Sequence, residues 1–205
     1  MSKICYIVGA GEDYGIDFTP DSEDLVIAAD GGLLTLQKAG IQPQTVIGDF
    51  DSLGTIPGHE QVVVLPTVKD VTDTWAAIEW AKERGFREFH LYGCTGGRVE
   101  HTLANIQTAA ALAEAGMHCL IYDKEQIITV ICNETISFPS EKTGFLSVFS
   151  YTDICGDVTL EGLKYELEHA ELTNRFPLDV SNEFVGKEAF VTVRQGIAVV
   201  VYGRN

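Results

Sequence analysis

The sequence predicts an α/β protein, with an N-terminal open, mainly parallel sheet carrying helices on both faces and a C-terminal all-β sandwich. Two observations predict it. Up to about residue 125, short Val/Ile-rich apolar runs alternate with segments of helical periodicity. Beyond that point only short strand-like runs remain, separated by turn residues at intervals typical of antiparallel sandwiches. The composition agrees: 205 residues, 45% hydrophobic and 21% charged, provide the apolar material for a substantial core. The expected domains are 1–124 and 125–205.

The elements follow in order. "KICYIVGAG", "DLVIAADGG", "QTVIGDFDS", "QVVVLPTVKD", "EFHLYGCTGG" and "HCLIYD" are apolar on both faces, as strands of a buried parallel sheet are. Helices are predicted over 33–38, 73–84 and 99–115, with Gly40, Gly85 and Gly116 as C-terminal caps. On a helical wheel Val99, Leu103, Ile106, Ala110 and Ala113 form the stripe expected to face the core. Trp75 and Trp80 read as core residues, and His59, His90, His118 and His169 as structural. The second domain is expected to use "QIITVIC", "ETISFPS", "GFLSVFSY", "GDVTLEGL", "LDVSNEFVG", "EAFVTVRQG" and "IAVVVYG" as strands.

Composition also narrows the function. Lys and Arg total 14 against 30 Asp and Glu, a formal net charge of −16. Such a surface repels nucleic acid and anionic membrane and suits a cationic ligand. An anionic ligand needs a metal or a local positive site. "MSKICYIVGAG" reads as a first strand and not as a signal peptide, and no run approaches a membrane span. Five scattered cysteines without a C-x-x-C pair fit the reduced thiols of a cytoplasmic protein.

Five predicted strands end in unusual loops: "GAGED", "DGG", "GDFDS", "KDVTD" and "GCTGGR". Ligands bind at the carboxyl ends of strands in open parallel sheets, so these loops should line one edge. In an extended "GDFDS", Asp49 and Asp51 point to the same side and face one cation. "KDVTD" adds Asp70 and Asp73, with Lys69 positioned for a phosphate or carboxylate; Asp73 is also a candidate N-cap for the next helix. Hard oxygen ligands beside a phosphate site suit Mg²⁺. Asp30 and Gly31 of "ADGG" open a short helix as a possible phosphate cradle. Gly96 and Gly97 lead into another helix, whose Arg98, His101 and Asn105 share a face suited to a nucleotide triphosphate. "GAGEDYG" lacks the third glycine of a dinucleotide fingerprint, which argues against a dehydrogenase.

Taken in order, "DGG", "GDFDS", "KDVTD", "GGRVEHTLAN" and "VSNEF" resemble the thiamine pyrophosphokinase family, from about residue 28 to residue 184. The resemblance implies an ATP- and Mg²⁺-binding catalytic α/β domain (1–124) and a thiamine-binding β-sandwich (125–205). It implies a homodimer whose site lies where the subunits meet. The implied reaction moves the terminal pyrophosphate of ATP to the hydroxyethyl group of thiamine and releases AMP. By resemblance, Asp49, Asp51, Asp70 and Asp73 are catalytic, the first three as metal ligands. Asp30, Gly31, Gly96, Gly97, Arg98, His101 and Asn105 fall on the ATP side. Asp73, Ser181 and Asn182 fall on the thiamine side. Glu100 departs from the family, which usually carries Asp there; the longer side chain keeps the charge and extends its reach. Two other functions remain open at this point: a Mg²⁺-dependent phosphohydrolase, and a thiamine- or nucleotide-binding protein without catalysis.

Overall fold

The structure, a computed structural model, describes residues 3–51, 54–66 and 70–204. Lys69 lies outside the described residues. The chain divides into two compact units, residues 1–105 with 121–123, and residues 106–120 with 124–205.

The first unit is built on β1 (Ile4–Val8), β2 (Leu25–Ala29), α1 (Gly32–Lys38), β3 (Thr45–Gly48), β4 (Val62–Val64), α2 (Asp73–Lys82) and β5 (Glu88–Tyr92). The boundary between units passes through α3 (Val99–Glu114) and β6 (His118–Tyr122). Every expected strand of this half is present. The strands run β5-β1-β2-β3-β4 and every neighbouring pair is parallel. β1 therefore starts a run in one direction, and the chain returns by α2 to its other side. That reversal places a topological switch point between the ends of β1 and β5.

Side-chain alternation sorts the core. Tyr6, Val8, Val26, Ala28 and Val46 pack with Leu33 and Leu36 of α1 on one face. α2 buries Ala77, Ile78 and Ala81 and packs on β1, β2 and β3, where Cys5, Ile7, Ile27 and Ile47 point the other way. Helices thus cover both faces, as the continuous apolar runs require. Gly40, Gly85 and Gly116 follow the three helices with φ of 70°, 82° and 69°, the left-handed conformation expected of such caps.

The second unit contains β7 (Gln126–Cys132), β8 (Thr135–Phe138), β9 (Phe145–Ser150), β10 (Ile154–Glu161), β11 (Leu167–Thr173), β12 (Asp179–Glu183), β13 (Ala189–Gln195) and β14 (Ile197–Gly203). Antiparallel β12-β9-β14-β7 faces antiparallel β11-β10-β13-β8 across one apolar core that includes Leu146, Val148, Val158, Leu160, Val191 and Val200. β11 was not anticipated from the sequence. It is an edge strand rich in polar residues, with a single buried position, so no apolar alternation marks it.

Three local expectations are corrected. Val99 and Leu103 are 69% and 58% exposed. The buried side of α3 instead carries Asn105, Thr108, Ala109 and Leu112, together with Ala110 and Ala113 of the expected stripe. Alanines spread round the helix left its apolar face ill-defined. Trp75 and Trp80 are only half-buried, and the Arg84 guanidinium lies 3.3 Å from the Trp80 ring centre. The cap of α2 is Thr72, whose hydroxyl accepts a hydrogen bond from the Trp75 N–H at 3.1 Å; Asp73 is the first helical residue.

Candidate functional site

A cleft of about 630 Å³ opens at the switch point. The loops after β1 and β5 form its floor, held together by main-chain bonds: Gly9 N–H to Tyr92 O, Gly11 N–H to Gly93 O and Glu12 N–H to Thr95 O. A Cβ at Gly9 or Gly11 would lie 2.8 Å or 2.6 Å from the Gly93 carbonyl oxygen. The glycines of "GAGED" therefore serve the approach of two backbones.

The acidic wall comes from the ends of β2 and β3. Carboxylate oxygens of Asp30, Asp49 and Asp51 lie within 4.8 Å of one another. The cause differs from the strand alternation expected. β3 ends at Gly48, and Phe50 takes a left-handed φ of 58° with its ring buried beside Val46 and Leu33. Anchoring that ring inward turns both flanking aspartates outward, and the Asp51 N–H closes the turn on Asp49 Oδ1 at 3.2 Å. Asp30 also sits at a left-handed φ, 48°, and is buried, its N–H bonded to Ile47 O. Three mutually repelling carboxylates held this way, with left-handed backbone at Asp30 and at Phe50 between the other two, fit a hard divalent cation.

The opposite wall is the turn and first residues of α3. Gly96 and Gly97 adopt φ of 73° and 57°, and Arg98, in contact with the His101 ring, follows. Arg98 Nε also lies 3.6 Å from Glu100 Oε1 on the surface. Asn105, by contrast, is buried, and its Nδ2 donates to Cys94 O at 2.7 Å, bracing the loop after β5. Thr95 Oγ1 donates to Asp123 Oδ1. Asp73, Thr72 and Thr74 enter from the start of α2. The cleft thus brings an acidic cluster together with a glycine turn and its cationic and polar side chains, an arrangement suited to a metal-complexed polyphosphate.

Residues 19–121 match the thiamin pyrophosphokinase catalytic domain, and residues 133–198 match the thiamin pyrophosphokinase vitamin B1 binding domain. The chain belongs to the thiamine pyrophosphokinase family. It is 28% identical over 210 residues to the thiamine pyrophosphokinase of Bacillus subtilis (strain 168), covering 98% of each chain. The crystal structure of a Bacillus subtilis thiamine pyrophosphokinase, 28% identical, aligns with a TM-score of 0.87 over 98% of this chain and 99% of that one. A Geobacillus thermodenitrificans thiamin pyrophosphokinase, 27% identical, gives 0.83 over 98% of both.

Of the residues expected from the sequence, Asp30, Asp49, Asp51, Asp73, Gly96, Gly97, Arg98, His101 and Asn105 line the cleft. Asp70, an exposed residue, and Gly31 are not among its lining residues. Glu12, Thr72, Thr74, Cys94 and Thr95 line it without having been singled out. Their signal was positional, since each lies in or beside a strand-end loop already suspected. Ser181 and Asn182 belong to the second unit, on β12. Ser181 is exposed at φ 60°, with its N–H bonded to Ser147 Oγ; Asn182 is buried.

Proposed function

We propose that this thiamine pyrophosphokinase family member transfers the terminal pyrophosphate of ATP to thiamine in the cleft at the switch point, with Mg²⁺ held by Asp30, Asp49 and Asp51. The observation that carries the reading is the convergence of those three carboxylates in a cleft that the Gly96–Gly97 turn also lines. We take Asp30 in place of Asp70 as the third ligand, supported by the cluster of Asp30, Asp49 and Asp51. Bound there, Mg²⁺ supplies charge neutralisation and orientation of the phosphates.

The chain's own residues do the rest. Arg98 and His101 draw the phosphates toward the glycine turn, while Asn105 fixes that turn through Cys94. Excess negative charge in the wall favours the thiazolium cation of thiamine. We assign proton abstraction from the thiamine hydroxyl to Asp73, supported by its being a lining residue of the cleft, as Asp70 is not. The hydroxyl oxygen then bonds to the β-phosphorus as the bond from β-phosphorus to the α–β bridging oxygen breaks, and AMP leaves with that oxygen. The Ser181 turn of the second unit supplies thiamine contacts. The active assembly is a homodimer, and the five free cysteines support a reducing, cytoplasmic location.

ATP carrying a heavy-oxygen label in the α–β bridge tests the reaction. Thiamine diphosphate with all of the label in AMP is expected; label in released pyrophosphate, or no thiamine-containing product, overturns it.

A further inference from the structure

The β12 turn holds a side chain whose hydrogen-bonding capacity is fully used. Asn182 Nδ2 donates to Tyr165 O at 2.7 Å and to Asp179 Oδ1 at 3.0 Å. Its Oδ1 accepts from Tyr165 N–H at 3.0 Å and Glu183 N–H at 2.9 Å. An amide has two donors and one oxygen with two lone pairs, so no group remains for a ligand. Only 1% of the residue is exposed.

The arrangement imitates a strand pair. Leu163 bridges Phe184, and Lys164 N–H bonds to Glu183 O. One residue further on, the Asn182 amide takes the place of a peptide unit and pairs with both main-chain groups of Tyr165. Asp179, itself buried, fixes which way the amide points. What the clasp presents outward is the Tyr165 ring, 59% exposed, and the exposed Ser181 in its left-handed turn.

We propose that Asn182 is a positioning residue that sets Tyr165 and Ser181 against thiamine and does not itself touch it. This rests on the reading of the Ser181 turn as a thiamine contact. An exposed aromatic ring, which already has Lys164 Nζ 5.5 Å from its centre, and an exposed serine on the same clasp suit a flat, cationic heterocycle.

Asn182→Asp separates the roles, with the thiamine KM compared to wild type at each pH. A positioning amide replaced by a carboxylate sets two buried acids against each other at the Asp179 contact. The expected result is a thiamine KM raised about tenfold or more at about pH 7.5, with kcat nearly unchanged, recovering toward wild type as the pH falls to about 5.5 and the acids share a proton. A residue in direct contact behaves oppositely: the new carboxylate attracts the cation, so an unchanged or lower KM at neutral pH overturns the proposal. A thiamine KM unmoved in both Ser181→Ala and Asn182→Asp overturns instead the underlying placement of thiamine at this turn. If Asn182→Asp does not fold, a double-mutant cycle of Asn182→Ala and Tyr165→Ala decides. Acting through Tyr165 requires that the double variant lose little more than Tyr165→Ala alone; additive losses overturn the proposal.

Discussion

At the scale of single residues, the Asp30–Asp49–Asp51 cluster makes opposing demands on stability and activity. Crowding three carboxylates costs folding energy, which on the proposed function a bound cation returns. Asp30→Asn is therefore expected to keep or raise the Tm without metal, to lose the Mg²⁺-dependent rise in Tm, and to lower kcat by about two orders of magnitude. Thermal melts with and without Mg²⁺ check this, and an undiminished metal response removes Asp30 from the ligand set. His90 poses a separate residue-scale question. It is buried on β5, with Nε2 3.4 Å from Glu88 Oε1 and Nδ1 3.2 Å from the Tyr122 hydroxyl. Burial pushes its pKa below the ordinary histidine value, while Glu88, Asp24 and Asp17 pull weakly upward. The folded protein then holds fewer protons than the unfolded chain. Its contribution is fully present above about pH 6.5 and is lost as the pH falls through the lowered folded value. His90→Gln is expected to flatten the decline of Tm between about pH 7 and pH 5 relative to wild type; an equally steep decline assigns that slope to other groups.

At the scale of elements, α1 meets β1 without room for a side chain. A Cβ on Gly32 would lie 1.8 Å from the Val8 carbonyl oxygen, which is backbone and cannot move aside. Gly32→Ala should destabilise by about 3 kcal/mol, read as a lower urea midpoint; a midpoint within error of wild type contradicts the packing described. Strand and helix identities were legible because buried parallel strands need long apolar runs and helices need caps, and both leave marks in one-dimensional sequence. What was not legible depended on tertiary pairing. Phe50 turns Asp49 and Asp51 outward only because its own ring has a pocket among Val46 and Leu33. β11 is polar and is recognisable as a strand only through its partner β10. The proximity of Asp30 to the "GDFDS" pair follows from the register in which Ala29 of β2 lies beside Ile47 of β3, and no spacing along the chain encodes it. Similarly, the Asn182 clasp joins residues 17 apart in sequence through a side chain imitating a peptide.

At the scale of the whole molecule, 30 acidic against 14 basic residues make a surface that repels ATP and attracts a thiamine-like cation. On the proposed function the cleft reconciles the two by pairing an acidic cluster that holds a cation with Arg98 and the glycine turn. Among the described residues, no helix is long and apolar enough to cross a membrane. The central claim is that this cleft couples ATP cleavage to thiamine through the acidic cluster. The most direct test incubates the purified protein and its Asp51→Asn variant with ATP, thiamine and Mg²⁺, resolving AMP, ADP, phosphate and thiamine diphosphate. The account predicts AMP and thiamine diphosphate in equal amounts from the wild type, only with Mg²⁺, and a loss of about two orders of magnitude in the folded variant. Phosphate released without thiamine diphosphate, or a folded variant as active as wild type, would contradict it.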